Sequence, residues 1–130
     1  MLAPLPILVA AIATIPVGFV WYSPLLFVKP WIHFNGLNPK KMKAPVMAFL
    51  STFLTSLVMA ALIALLINML KITALPQAWK LGTLLWFGFN FMPGLTQSLF
   101  SKRPIELLLI DSGHQAANVI VMTWVLVSWK

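Results

Sequence analysis

Four long stretches of this chain carry no formal charge: Met1 to Val28, Ala44 to Leu70, Leu81 to Ser101 and Ser112 to Trp129. Each is about as long as the roughly 20 apolar residues that take a helix across a bilayer. A water-soluble domain would interrupt such runs to build a charged skin, yet charged residues are 8% of this sequence against 61% hydrophobic. Lipid offers no partner to backbone N–H and C=O groups, so runs of this kind must be helical, and the ten-residue alternation of a membrane barrel is not visible. The expectation is an all-α integral membrane protein, one domain over 1–130. It has four transmembrane helices near 2–22, 45–70, 78–100 and 104–129, with a surface segment between the first and second.

The remaining charges lie mostly between the runs and set the orientation. Four successive spans place Lys29, Lys40, Lys41, Lys43, Lys102 and Arg103 on one face and Lys71, Lys80 and Lys130 on the other, six basic residues against three. The positive-inside rule then puts the first face in the cytoplasm and both termini outside. Aromatic residues fit as interface anchors: Trp21, Tyr22 and Trp31 at the cytoplasmic boundary, Trp79 and Trp129 at the outer one. Ala11-Ile12-Ala13 resembles a cleavage site, but the first charge is Lys29, so no positive region precedes the apolar core and the first helix is expected to be retained.

The net charge of +7 does not point to nucleic acid. The basic residues flank apolar spans instead of interleaving with polar and aromatic ones, which suits the bilayer and its anionic headgroups as the partner. The chain has no cysteine, which removes disulfides, thiolate metal sites and thiol catalysis together. Between the first two spans, Leu25, Leu26, Phe27, Trp31, Ile32 and Phe34 alternate with Pro24, Lys29, Pro30 and His33, the pattern of a segment lying along the membrane surface. Asn35-Gly36 and Asn38-Pro39 mark turns after it.

Polar residues inside a span carry the most information, because an acid at the bilayer centre costs at least about 2.5 kcal/mol. Asp111 is the main one. His114, Gln115 and Asn118 follow it at helical spacings of three, four and seven. On the third span, Thr83, Asn90 and Gln97 recur every seven residues, and counting from the span boundaries brings Asn90 and Pro93 to the depth of the Asp111 stripe. Pro93 and Pro16 each remove a helix hydrogen bond, and a kink at Pro93 would free the Phe89 carbonyl beside Asp111. Arg103 and Lys29 are the candidate ion-pair partners of Asp111, which otherwise serves as protonated interhelical glue. Glu106 suits the positive end of the fourth helix. Ser51, Thr52, Thr55 and Ser56 read as small residues for close helix packing.

Trp21-Tyr22-Ser23-Pro24-Leu25-Leu26-Phe27 with Lys29 and Trp31, then Gly88-Phe89-Asn90, Phe100, Arg103-Pro104 and Leu109-Ile110-Asp111-Ser112-Gly113 resemble the bacterial membrane-protein family known as domain of unknown function 1761. The resemblance spans essentially the whole chain in motif order, departing at Val28, where glycine is usual, and at His114, where tyrosine is usual. It implies a small four-helix membrane protein and no particular activity, substrate or cofactor.

No Walker loop, nucleophile elbow or paired-carboxylate signature is present, and His114 has no second histidine or cysteine at ligand spacing. Neither a metal nor a cofactor is indicated, and enzymatic function ranks last because Asp111 and His114 lack a nucleophile. Two functions remain. The first is ion or small-molecule permeation or binding along the polar stripes of helices three and four, in a homo-oligomer. The alternative is a structural or regulatory subunit packed against a larger membrane partner.

Overall fold

In the computed structural model, which describes residues 3–23, 26–36 and 46–129, six α-helices and one π-helical turn account for most of the described residues, which contain no strand. They are α1 (Pro4–Trp21), α2 (Val28–Asn35), α3 (Val46–Met69), α4 (Leu75–Trp86), the π turn Phe87–Phe91, α5 (Met92–Ser101) and α6 (Ile105–Ser128). The expected Asn38-Pro39 turn, together with Pro24, Leu25, Lys40, Lys41, Lys43 and Lys130, lies outside the described residues.

Local chemistry sets most of these boundaries. Pro4 begins α1 and Pro76 sits in the first turn of α4, where a missing N–H is one of the unpaired donors in any case. The helix expected to begin near 78 begins at Leu75, with Pro76 in its first turn. Between α3 and α4 the chain turns at Lys71, and between α5 and α6 at Lys102, both in the left-handed conformation (φ 54° and 56°). In each case the next N–H, of Ile72 or Arg103, reaches back to Ile67 or Ser98 at 3.0 Å, closing the helix end in a Schellman turn. α2 follows α1 directly and ends at Gly36, as the Asn35-Gly36 pair predicted.

The helical path from Leu75 to Ser101 is continuous but not uniform. Where a sharp kink at Pro93 was expected, the chain widens into the π turn, with the Met92 N–H bonded to the Phe87 carbonyl. This absorbs the donor that Pro93 lacks by admitting one extra residue into the turn. The extra residue rotates everything beyond it by about 100°, so the seven-residue stripe of the sequence is split. Asn90 and Gln97 face one cleft, while Thr83 lines a separate small pocket with Trp79, Trp86 and Thr123. α1, by contrast, runs through Pro16 as one helix.

α6 is the central element and packs on every other helix. Pairs such as Gly82 with Val119 and Gly94 with Leu108 show that it runs antiparallel to α4 and α5, and Gly18 with His114 together with Trp21 with Ile110 show the same for α1. α1 also runs antiparallel to α3: Ala10 clusters with Ala60 and Ile63, and one turn further along α1 the Thr14 hydroxyl donates to the Ala11 carbonyl at 2.7 Å and lies 3.4 Å from the Ser56 hydroxyl. Of the expected small-residue packing group on α3, only Ser56 is buried; Ser51, Thr52 and Thr55 are exposed. A Cβ on Gly82 would lie 2.6 Å from Val119 Cγ1, and one on Gly113 would lie 2.8 Å from the Trp21 ring, so these two positions require glycine for the helices to meet.

The outside of the molecule is apolar. Along α3, Leu50, Leu54, Val58, Leu62, Leu65 and Met69 form a stripe exposed by 40% to 68%. Phe89, Leu99 and Phe100 are exposed by 70% or more. By length and composition, two helices among the described residues suffice to cross a membrane: Pro4–Trp21 and the Leu50–Met69 portion of α3. α6 is long enough, but its polar face lowers its mean hydropathy, and the α4 to α5 path is divided by the π turn into pieces shorter than a span.

Candidate functional site: a polar cleft on helix α6

Asp111 lies in the second turn of α6, and the two side chains that hold it come from different parts of the chain. Tyr22, at the end of α1, donates its hydroxyl to Asp111 Oδ1 at 2.6 Å. Arg103 Nη2 donates to Asp111 Oδ2 at 2.9 Å, forming an ion pair whose side chains are 42% and 35% exposed. The Schellman turn at Lys102 and the extended Pro104 that precedes α6 bring Arg103 back alongside the helix it introduces. Lys29, the other expected partner, is exposed on α2; the ion pair among the described residues is made by Arg103.

Around this pair lies an open cleft of about 490 Å³, bounded by α6 on one side and by the π turn and α5 on the other. Its polar lining comprises Tyr22, Asn90, Gln97, Ser98, Ser101, Arg103, Asp111, Ser112 and Gln115; Phe89, Pro93, Gly94 and Leu108 supply the apolar part. Asn90 and the Pro93 region thus share the cleft with Asp111, although the carboxylate bonds to Tyr22 and Arg103. A neutral array of amides and hydroxyls about one cation and one anion can bind solutes that both donate and accept hydrogen bonds.

The polar stripe of α6 divides between two environments. Asp111 and Gln115 face the cleft, whereas His114 and Asn118 are buried. The His114 ring packs edge-on against Tyr22 at 5.1 Å and lies beside Trp21 at 6.3 Å, and Asn118 Nδ2 is 3.4 Å from His114 Nε2. Asn118 Oδ1 is buried with no hydrogen-bond partner among the described residues. No group of three or more His, Cys, Asp or Glu side chains converges among the described residues.

Two tryptophans clamp α6 next to the site. Trp21 Nε1 donates to the Ile110 carbonyl at 2.9 Å, and Trp86 Nε1 donates to the Ser112 carbonyl at 2.7 Å. Tyr22 and Trp21, read from the sequence as interface anchors, therefore also hold the helix that carries Asp111. Trp31 packs edge-on against Tyr22 at 5.8 Å, while Trp79 and Trp129 are exposed by 42% and 45%. Trp86 was not singled out by the sequence reading. The available signal was its position mid-span, where an indole N–H far from either interface must find an acceptor inside the protein.

A family described as a protein of unknown function (DUF1761) matches residues 5–127, so the chain belongs to that family. No curated protein and no solved structure matches the chain.

Proposed function

We propose that this member of the family is a four-span membrane protein that binds or passes a small polar solute or ion through the cleft on α6. The observation that carries the reading is the polar cleft itself. It places an acid, a base and three amide side chains in a molecule whose other surfaces are dominated by exposed leucine, valine and phenylalanine. An apolar exterior with polar residues turned inward is the distribution expected in lipid, where an ionisable side chain must face protein or water. The alternating directions of α1, α3, the α4 to α5 path and α6 support four crossings, although only two of them are apolar enough to be recognised alone. Four helices give a thin wall around any pathway, so assembly as a homo-oligomer belongs to the same proposal. Both termini lie outside the cytoplasmic membrane in this account.

The parent chain has no cysteine, which makes single-cysteine variants clean probes. In proteoliposomes followed by swelling in a panel of small ions and solutes, Gln115→Cys is expected to lose permeability when treated with a small thiol reagent. Leu109→Cys, on the exposed apolar side of α6, is expected to be unaffected. If the protein adds no permeability and a solute panel gives Gln115→Cys no protection from labelling, the reading fails.

A further inference from the structure

The ligand class follows from how much bonding capacity the Arg103–Asp111 pair leaves unused. A guanidinium carries five N–H donors, and the ion pair engages it through Nη2 alone, so donors remain for a second planar acceptor. Among the described residues each Asp111 oxygen accepts one bond, from Tyr22 or from Arg103, which leaves a further lone-pair site on each. Both side chains are part-exposed and line the cleft. The rest of its lining is uncharged, so the cleft holds one full positive and one full negative charge, side by side. A net anion or cation entering it would meet a like charge beside the opposite one, which offsets part of the attraction. A molecule carrying both charges can match both.

Resting on the reading of this cleft as a binding site, we propose that its occupant is a small zwitterion, its anionic group on Arg103 and its ammonium on Asp111. The amides of Asn90, Gln97 and Gln115 then receive the polar remainder, and Tyr22 keeps Asp111 in place throughout. The volume falls within the range of sites for small molecules, roughly 300 to 1,000 Å³. Two sources share this chemistry: a free amino acid, and a lipid headgroup that combines phosphate with an ammonium.

The test is equilibrium binding of radiolabelled L-serine to the whole chain in phosphatidylglycerol nanodiscs, with unlabelled acetate and ethylamine as the two half-ligands. Serine should bind at least ~10-fold more tightly than either half-ligand, and Arg103→Gln and Asp111→Asn should each weaken it about as much, a difference near 1.4 kcal/mol. If the native source is lipid, adding phosphatidylethanolamine to the discs should displace serine and the chain should retain that lipid over phosphatidylglycerol; if it is a free solute, serine binding should be unchanged by the lipid. Either result supports the zwitterion. A half-ligand binding as tightly as serine, or serine binding unmoved in both variants, overturns it. Absence of both serine and phosphatidylethanolamine binding also overturns it, and the Gln115→Cys experiment then separates the two failures: if labelling still blocks permeability, the cleft reading stands without the zwitterion.

Discussion

Replacing Tyr22 by phenylalanine removes one oxygen atom and leaves in place the ring that packs against Trp31 and His114. The bond lost is the 2.6 Å contact with Asp111. A hydrogen bond to a charged group contributes about 1.5 to 3 kcal/mol, and because both side chains are only part-buried the lower end applies, about 1.5 kcal/mol. The Arg103–Asp111 pair, at 42% and 35% exposure, belongs nearer the 0.2 to 1 kcal/mol typical of exposed ion pairs. The account therefore ranks the phenol above the guanidinium as the group that holds Asp111. The assay is reversible unfolding in mixed detergent micelles, read by tryptophan fluorescence, in a double-mutant cycle of Tyr22→Phe with Asp111→Ala. A coupling of about 1 to 2 kcal/mol is expected, and it should exceed that of Arg103→Gln with Asp111→Ala. A Tyr22 coupling inside the ~0.5 kcal/mol scatter of independent sites, or a larger one for Arg103, would refute this ranking.

Gly113→Ala should destabilise the fold by about 1 to 3 kcal/mol in the same assay, because its Cβ would lie 2.8 Å from a Trp21 ring already tied to the Ile110 carbonyl; a neutral substitution would show that the ring is free to shift. Asn118→Leu removes a buried oxygen lacking a partner among the described residues but also the 3.4 Å contact with His114 Nε2, so the two effects offset and stability should change by no more than about 1 kcal/mol. A loss above about 2 kcal/mol would mean that this oxygen is paired in the bilayer. A cysteine added after Lys130 should react with an impermeant thiol reagent on intact cells, and labelling only after lysis would place the C-terminus inside.

The long uncharged runs made most of the helices legible, since apolar length is a local property: α1, α3, the α4 to α5 path and α6 fall within a few residues of the four expected helices, whereas α2 lies in the segment expected only to follow the membrane surface. Asp111, Gln115, Asn90 and Gln97 were legible as a group for the same reason, as polar side chains at helical intervals in apolar segments. What failed was periodicity between Thr83 and Asn90, across the start of the π turn. A seven-residue repeat presumes uninterrupted α-helix, and the extra residue of the π turn carried Thr83 out of the stripe. The partners of Asp111 were legible only by half. Arg103 is eight residues away and reachable by counting turns, whereas Tyr22 is 89 residues away, and the anchoring role expected of it left its bond to Asp111 unsought. His114 and Asn118 turned out to face the protein interior, because the helical stripe that includes Asp111 is wide enough to span two packing environments.

The central claim is that α6 presents a watery cleft on one side and a lipid-facing surface on the other. Spin labels placed singly at Gln115 and Leu109 in the reconstituted protein test it through collision rates with a water-soluble nickel complex and with oxygen, which partitions into lipid. Leu109 lies closer to the start of α6, so depth alone would make it the wetter site. The account predicts the reverse: greater nickel accessibility at Gln115 and greater oxygen accessibility at Leu109. Oxygen-dominated collisions at both positions would mean there is no aqueous cleft, and nickel-dominated collisions at both would mean that α6 does not cross the membrane.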